Sequence, residues 1–134
     1  MFLEFGGPGI VPVPTKKLCT QDIINQEVVV KPREYYVITA YVPFWVTSPK
    51  LHVSFRAYGG SGNDIKVYLF DKDSFINWEN GHSVTPLYST EKETIDEFSI
   101  PVTSGKKYYI VIDNTFSIFS KKYVKIYIYL TYYQ

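Results

Sequence analysis

The sequence predicts an all-β fold, a two-sheet antiparallel β-sandwich of jelly-roll-like form with about eight strands. Aromatic residues make up 18% of the 134 residues, including 13 tyrosines, and such residues favour the pleated surface of a strand. Apolar and polar residues alternate over short segments that glycine-rich turns separate. We find no segment of convincing length with the helical period, and a closed barrel is the less favoured alternative.

The predicted strands follow one another with short polar connections. The strongest pattern lies near the C-terminus, where Val124, Ile126, Ile128 and Leu130 alternate with tyrosine and polar positions. The segments "GGSGND", "ENG" and "TSGKK" supply glycine for turns. Strands are predicted near residues 27–31, 34–43, 51–58, 64–70, 86–91, 94–102, 107–113 and 124–133.

The alternation also assigns one face of each strand to the core. A register shifted by one residue would expose this whole set, so the prediction is sharp. The predicted core residues are Val53, Phe55, Ile65, Val67, Leu69, Ile110, Ile112, Val124, Ile126 and Ile128.

The chain is divided into an extended N-terminal arm, residues 1–26, and a sandwich domain, residues 27–134. The arm begins "MFLEFGGPGIVPVP", in which glycine and proline interrupt large apolar residues. Its Phe2, Leu3 and Phe5 are expected to anchor it on the domain or on a neighbouring subunit.

Charge and cysteine content narrow the function classes. The formal net charge is +1, with lysines scattered among acidic residues, which argues against a nucleic-acid partner. Cys19 is the only cysteine, so no intramolecular disulfide can form. The N-terminus lacks a basic region, and no apolar run is long enough to span a bilayer. We therefore expect a soluble, cytoplasmic protein without direct membrane insertion.

No arrangement of residues in the sequence indicates an enzyme or a cofactor. His52 and His82 fall on different predicted elements, neither at ligand spacing from Cys19. A cysteine nucleophile needs a base and an oxyanion hole, and the sequence gives no sign of either. Serines occur in no recognised nucleophile motif. We therefore predict no catalytic, cofactor-binding or metal site.

Four aspartates at predicted strand ends offer a calcium alternative. Asp64, Asp71, Asp73 and Asp113 could supply oxygen ligands of the kind calcium prefers. Lys72, between two of them, would oppose a dication. Capping of nearby backbone amides is therefore the favoured interpretation.

The segment "SGKKYYIVIDNTFSIFSKKYVKIYIYL" resembles the closing motif of the GOLD (Golgi dynamics) domain family. "VVVKPREYYVITAYVP" is similar to the opening strand pair of that family, and "LHVSFRAYGGSGNDIKVYLFD" to its central hairpin, so the resemblance covers roughly residues 27–133. It implies a small β-sandwich that recognises proteins. The matching residues are Gly105, Tyr108, Asn114, Thr115, Phe116, Ser117, Ser120, Lys121, Lys122 and Val124.

The closing motif is interpreted as a fold determinant. Asn114 and Ser117 are expected to bond backbone groups of the turn, while Phe116 and Phe119 are expected to plug the end of the sandwich. The chain lacks the coiled coil, membrane span and paired cysteines of the cargo receptors in that family, so only the fold and a habit of protein binding carry over.

The predicted interaction surface is a row of tyrosines on the C-terminal strand. Tyr123, Tyr127, Tyr129 and Tyr133 lie opposite the core stripe of that strand, where they form an aromatic patch. The patch predicts an unidentified protein partner, with a homo-oligomer as one form. Alternatively, the arm covers the rings, or they pair across strands with Tyr35, Tyr41 or Tyr109.

Two further function classes stay open. A small-ligand or carbohydrate-binding module would use Trp45 and Trp78 as stacking platforms, since both fall in loop-like contexts. The favoured interpretation of these tryptophans is that each seals an end of the sandwich. A structural or capsid-type component is the third class, because jelly rolls serve that role.

Overall fold

The structure, a computed structural model, describes residues 16–59 and 62–134. The predicted anchors Phe2, Leu3 and Phe5 lie outside the described residues. Within the described part, the chain forms eight strands and one helix: β1 (Leu18–Val30), β2 (Tyr35–Tyr41), β3 (Thr47–Tyr58), β4 (Lys66–Asp71), α1 (Lys72–Glu79), β5 (Tyr88–Ser89), β6 (Ile95–Pro101), β7 (Lys107–Asp113) and β8 (Lys122–Tyr133).

The strands form two four-stranded antiparallel sheets. Sheet 1 has the order β1-β8-β3-β6, and sheet 2 has the order β2-β7-β4-β5. Every connection between consecutive strands crosses from one sheet to the other, except the one between β4 and β5. The predicted all-β two-sheet sandwich is confirmed.

The core lies between the two sheets, and the predicted register is correct. All ten residues predicted for the core are at most 3% exposed, and Leu51 and Leu130 join them with no exposed surface. Lys125, which was assigned to the opposite face of β8, is exposed, and Tyr127 on that face is half-buried. The period of two in the sequence thus identified the buried faces of β3, β4, β7 and β8.

Strand β1 is longer than the sequence predicted. It begins at Leu18 and pairs with β8 from Leu18 opposite Tyr133 to Val30 opposite Lys122, with a register shift between Asp22 and Ile24. Residues 18–26, assigned to the arm, therefore belong to sheet 1. The segment lacks a clear alternation because the register shift between Asp22 and Ile24 interrupts the period of two.

Helix α1 contradicts the expectation of a chain without helices. Asp71 caps it, since its Oδ1 accepts a hydrogen bond from the backbone N of Ser74 at 2.9 Å. Trp78, predicted in a loop, lies in this helix and not at an end of the sandwich. With Phe75 it packs against Phe70 and Tyr109 on the outer face of sheet 2. Eight residues are too few to display a helical period, and tertiary packing stabilises the helix.

The connection between β7 and β8 is organised by two buried polar side chains. Asn114 has no exposed surface, and its Nδ2 donates to the backbone oxygens of Val30, Lys31 and Ser120 at 2.9–3.2 Å. Its Oδ1 accepts from Nζ of Lys122, which is 1% exposed. These contacts join the β1–β2 turn, the connection and the start of β8.

The rest of this connection agrees with the expectations in part. Ser117 Oγ donates to the backbone oxygen of Ser120 at 3.0 Å, as expected of a residue that bonds the turn backbone. Phe116 is half-buried beneath the ammonium groups of nearby lysines. Phe119 is 90% exposed, so the prediction that it plugs the sandwich is wrong. Bonds from Asn114 and Lys122 close this end instead.

Candidate functional site: the outer face of sheet 1

A helix packs on the outer face of sheet 2, whereas no described helix packs on the outer face of sheet 1. Helix α1 contacts β4 and β7, which are both in sheet 2. Within residues 16–59 and 62–134, no helix or strand packs on the outer face of sheet 1. That face carries the outward positions of its four strands, with β8 in a central position between β1 and β3. A partner can therefore reach this face without displacing a described helix or strand.

Two tyrosines and a histidine form an ordered cluster at the centre of this face. The rings of His52 on β3 and Tyr129 on β8 are parallel within 6°, with centroids 4.4 Å apart. Tyr127 stacks on the other side along β8, with its centroid 4.9 Å from that of Tyr129. The strand register requires this contact, because His52 lies directly opposite Tyr129.

Hydrogen bonds fix the orientation of the cluster. His52 Nδ1 lies 2.6 Å from Ser99 Oγ, and its Nε2 lies 2.7 Å from Thr131 Oγ1. The hydroxyl of Tyr127 donates to Oδ1 of Asp22 on β1 at 2.8 Å. Contacts from β1, β3, β6 and β8 thus hold the rings in place, and this lowers the entropy lost when a partner docks.

Two pKa shifts follow from this environment. Partial burial, with a smaller contribution from the charge of Lys50, lowers the pKa of His52 and so favours the neutral imidazole. The hydrogen bond to Asp22 raises the pKa of Tyr127, with lesser contributions from desolvation and nearby charge. Both shifts favour the uncharged forms of His52 and Tyr127 near neutral pH.

Two adjoining depressions lie beside the cluster. One has a volume of about 460 Å³ and the other of about 430 Å³, and they share Ser54, Glu97 and Tyr127. The larger extends to Arg56 and Lys125, and the smaller includes His52 and Tyr129. Aromatic, hydroxyl, carboxylate and cationic groups therefore occur together on one open surface, a composition suited to recognition.

The structure places the four predicted interaction tyrosines on this one face. Tyr123 lies opposite Tyr58 and stacks on it at a centroid distance of 5.8 Å, and Tyr133 is 38% exposed at the far end of β8. The alternative in which the rings pair with Tyr35, Tyr41 or Tyr109 is wrong, because those residues belong to sheet 2.

The two tryptophans proposed as stacking platforms are not brought together. Trp78, a residue of α1, is half-buried between the helix and sheet 2, where its ring contacts those of Tyr35, Tyr68 and Phe70. Trp45 lies in the β2–β3 turn, makes an edge contact with Tyr132 and is 52% exposed. Neither lines the depressions on sheet 1.

Other groups with potential chemistry are dispersed. Cys19 is a free, half-buried thiol, and His82 is exposed with Asn77 as its hydrogen-bond partner. Three of the candidate calcium aspartates have separate local partners. Asp71 caps α1, Asp113 accepts a hydrogen bond from the backbone N of Thr115, and Asp64 forms an ion pair with Lys122. Across the described ranges, no three His, Cys, Asp or Glu residues are grouped as metal ligands.

The central role of His52 was missed by sequence analysis, which left it as an unassigned histidine. The alternation in "LHVSFRAY" was enough to place it on the outward face of β3. Its neighbours Ser99, Tyr129 and Thr131 come from other strands, and they follow only from the order β8-β3-β6.

Comparisons with known proteins show the fold alone. No protein-family model and no characterised protein matches the sequence. A solved protein from Bacillus endospore appendages, described as disulfide-linked pili, has a TM-score of 0.51 at 8% identity and covers 92% of this chain and 95% of its own. The resemblance to the GOLD family stays a prediction.

Two other solved structures have TM-scores of 0.44 at 7% identity, too low to carry an argument. PliG of Aeromonas hydrophila, a periplasmic inhibitor of g-type lysozyme, matches over 93% of both chains. The K3 cleaved adhesin domain of Lys-gingipain from Porphyromonas gingivalis matches over 84% of this chain and 99% of that domain. Among the described residues, no helix has the length and apolar character to span a membrane.

Proposed function

We propose that the protein is a non-enzymatic interaction module that binds another protein through the outer face of sheet 1, and that a second copy of the chain is one such partner. The observation that carries this proposal is a row of four tyrosines from β8 on a sheet face over which no described helix or strand packs. Monomeric proteins seldom leave such a patch open.

The chemistry of the face fits a protein partner. Tyrosine is enriched at interfaces because its ring buries apolar area while its hydroxyl finds a hydrogen-bond partner. Exposed charges lie around the aromatic cluster, namely Arg56 on β3, Lys125 on β8 and Glu97 on β6. A polar rim around an aromatic centre is the usual anatomy of a non-obligate interface.

Two resemblances are in keeping with this proposal. The similarity of the closing motif to the GOLD family implies a sandwich used for protein recognition. The Bacillus endospore appendage protein, which shares the fold, forms pili, so a chain of this shape can serve in self-assembly. The ring nitrogens of His52 both contact hydroxyl groups and neither contacts a carboxylate, so this histidine does not form a Ser-His-carboxylate triad.

A small-ligand module is the second candidate, and the larger depression favours it. Arg56 and Lys125 lie directly opposite each other on β3 and β8, an unfavourable pairing of like charges. Among the described residues, neither forms an ion pair, since Lys122 with Asp64 is the single pair there. An anionic sugar could stack on Tyr127 and neutralise both cations.

The third candidate, a structural or capsid-type component, is compatible with the frequent crossing of the chain between sheets, as in a jelly roll. It uses the same assembly chemistry as self-association. We therefore treat it as a special case of the first proposal.

Sedimentation velocity at micromolar concentration tests the proposal. The full chain should associate, and Tyr127→Ser/Tyr129→Ser should be monomeric with an unchanged circular dichroism spectrum. The matched control is Tyr41→Ser/Leu87→Ser, which removes exposed apolar side chains of sheet 2 and its flanking loop and should leave association intact. A wild-type chain that stays monomeric throughout would exclude self-association.

Titration with acidic and neutral sugars, followed by NMR, separates the second candidate from the first. If a uronic acid shifts the resonances of Tyr127 and the shift is lost in Arg56→Gln/Lys125→Gln, the face is a ligand site. If no sugar shifts them while sedimentation shows association, the protein-binding proposal stands.

A further inference from the structure

The end of the sandwich opposite the Asn114–Lys122 cluster is built differently, and we call it the open end. Here the β2–β3 turn lies beside both termini of the described chain. The backbones of Lys17 and Gln134 exchange hydrogen bonds at 3.2 and 3.1 Å, and Leu18 is opposite Tyr133. The chain preceding residue 16 therefore enters the fold at this end.

Three apolar side chains at the open end are exposed to solvent. Phe44 is 78% exposed, Trp45 52% and Leu18 57%. Covering a large apolar side chain contributes about 2 kcal/mol, so leaving three of them uncovered at one end is unfavourable.

Hydrogen bonds fix the backbone of the β2–β3 turn, which carries the exposed Phe44 and Trp45. The backbone N of Gly105 donates to the backbone oxygen of Val42 at 2.8 Å, and Ser104 Oγ donates to that of Val46 at 2.7 Å. Val42 and Val46, on either side of the two aromatics, are buried. The turn therefore holds both rings outward in fixed positions, which is how a preformed binding surface is built.

The sequence outside the described residues offers a matching segment. Residues 1–5 include Phe2, Leu3 and Phe5, and they are followed by Gly6-Gly7-Pro8-Gly9, which is turn chemistry. Fifteen extended residues reach about 50 Å, and they begin beside Tyr133 at the open end itself, so their length allows them to turn back on it. The segment can therefore bring its apolar residues back over the surface next to which it begins.

We propose that residues 1–5 dock on the open end of their own chain and cover Phe44, Trp45 and Leu18. Trp45 contacts Tyr132 by an edge, with ring planes at 89°, which leaves an indole face for Phe2 or Phe5. A short tether gives the segment a millimolar effective concentration, so docking within one chain prevails over exchange at micromolar protein. The proposal rests mainly on Phe44 and Trp45 of the β2–β3 turn and so survives the failure of the proposed function, although Leu18, opposite Tyr133, lies on the outer face of sheet 1.

Fluorescence of Trp45 tests the docking. In Trp78→Phe, Trp45 is the sole tryptophan, and its emission should be blue-shifted and poorly quenched by acrylamide. Adding Phe2→Ser/Leu3→Ser/Phe5→Ser should shift the emission to the red and raise the quenching constant severalfold. Ile118→Ser/Phe119→Ser, which removes exposed apolar residues at the other end, is the matched control and should change neither value.

A second measurement does not depend on the Trp78 variant. The wild-type chain labelled with 5-fluorotryptophan gives a Trp45 ¹⁹F resonance, assigned with Trp45→Phe, that should move when the three N-terminal residues are replaced. Solvent-like emission and an unchanged resonance would overturn the proposal. Protection of Trp45 that is lost on dilution would also overturn it, since the segment would then come from another copy.

Discussion

The outer faces of the two sheets are both aromatic, but only one is covered by described residues. On sheet 2, Phe70 and Val111 are at most 1% exposed because Phe75 and Trp78 of α1 pack over them. On sheet 1, Tyr127 and the other tyrosines of β8 lie under no described helix or strand. The chain thus covers one aromatic face with its own helix, and the other, which no described helix or strand covers, is the face that we propose binds a partner.

The largest expected effect is a difference in how much the two outer aromatic faces contribute to the free energy of unfolding. Phe75→Ala removes the ring that stacks on Tyr109 at 4.6 Å, and we expect the free energy of unfolding to fall by about 4 kcal/mol. The matched change on sheet 1, Tyr129→Ala, should cost about 1 kcal/mol, because that half-buried ring already contacts solvent. Urea denaturation measures both values, and equal losses would mean that the faces do not differ.

A substitution in the buried connection between β7 and β8 should destabilise the whole sandwich and not one outer face in particular. Asn114→Ala removes the buried amide that donates to three backbone oxygens and accepts from the ammonium group of Lys122. We expect a loss of about 3 kcal/mol in the free energy of unfolding. The exposed neighbour Thr115→Ala is the control and should change little. A small effect of Asn114→Ala would show that the turn closes without it.

The buried ammonium group of Lys122 should matter less than Asn114. Lys122→Met keeps the aliphatic stem and avoids the burial of a charge, but it leaves the backbone oxygen of Asp64 and Oδ1 of Asn114 without this donor. The balance should be a loss of about 2 kcal/mol, measured by thermal and urea unfolding. Lys121→Met, at an exposed position, is the comparison, and a more stable Lys122→Met protein would contradict the expectation.

The smallest expected effect is a pH dependence that originates on sheet 1. Because burial lowers the pKa of His52, the unfolded chain protonates first as the pH falls below about 6.5. The free energy of unfolding should therefore decline below that pH and level off once the folded His52 is protonated. His52→Gln should remove this part of the decline, and His82→Gln is the control. An NMR titration of His52 at or above pH 6.5 would contradict the expectation.

Sequence reasoning predicted what depends on local pattern. The alternation of Val124, Ile126 and Ile128 with tyrosines was enough to assign both faces of β8. Capping of backbone amides, the favoured interpretation of the four aspartates, is found for Asp71 and Asp113. The helix after Asp71 was missed because its stability comes from Phe75 packing on sheet 2, a tertiary contact.

The His52 cluster could not be predicted for a related reason. Its members come from strands far apart in the chain, and only the pairing of β3 with both β6 and β8 brings them together. Without the strand order, His52, Ser99 and Thr131 are unconnected positions in the sequence.

The most direct test of the central claim, that a second copy of the chain binds the outer face of sheet 1, is an NMR concentration series on the full chain. Between low and high micromolar concentration, we predict that amide shifts change at outward positions of sheet 1, such as Asn25, His52 and Glu97, and stay constant on sheet 2. Shifts confined to sheet 2, or none at any concentration, would contradict self-association through this face.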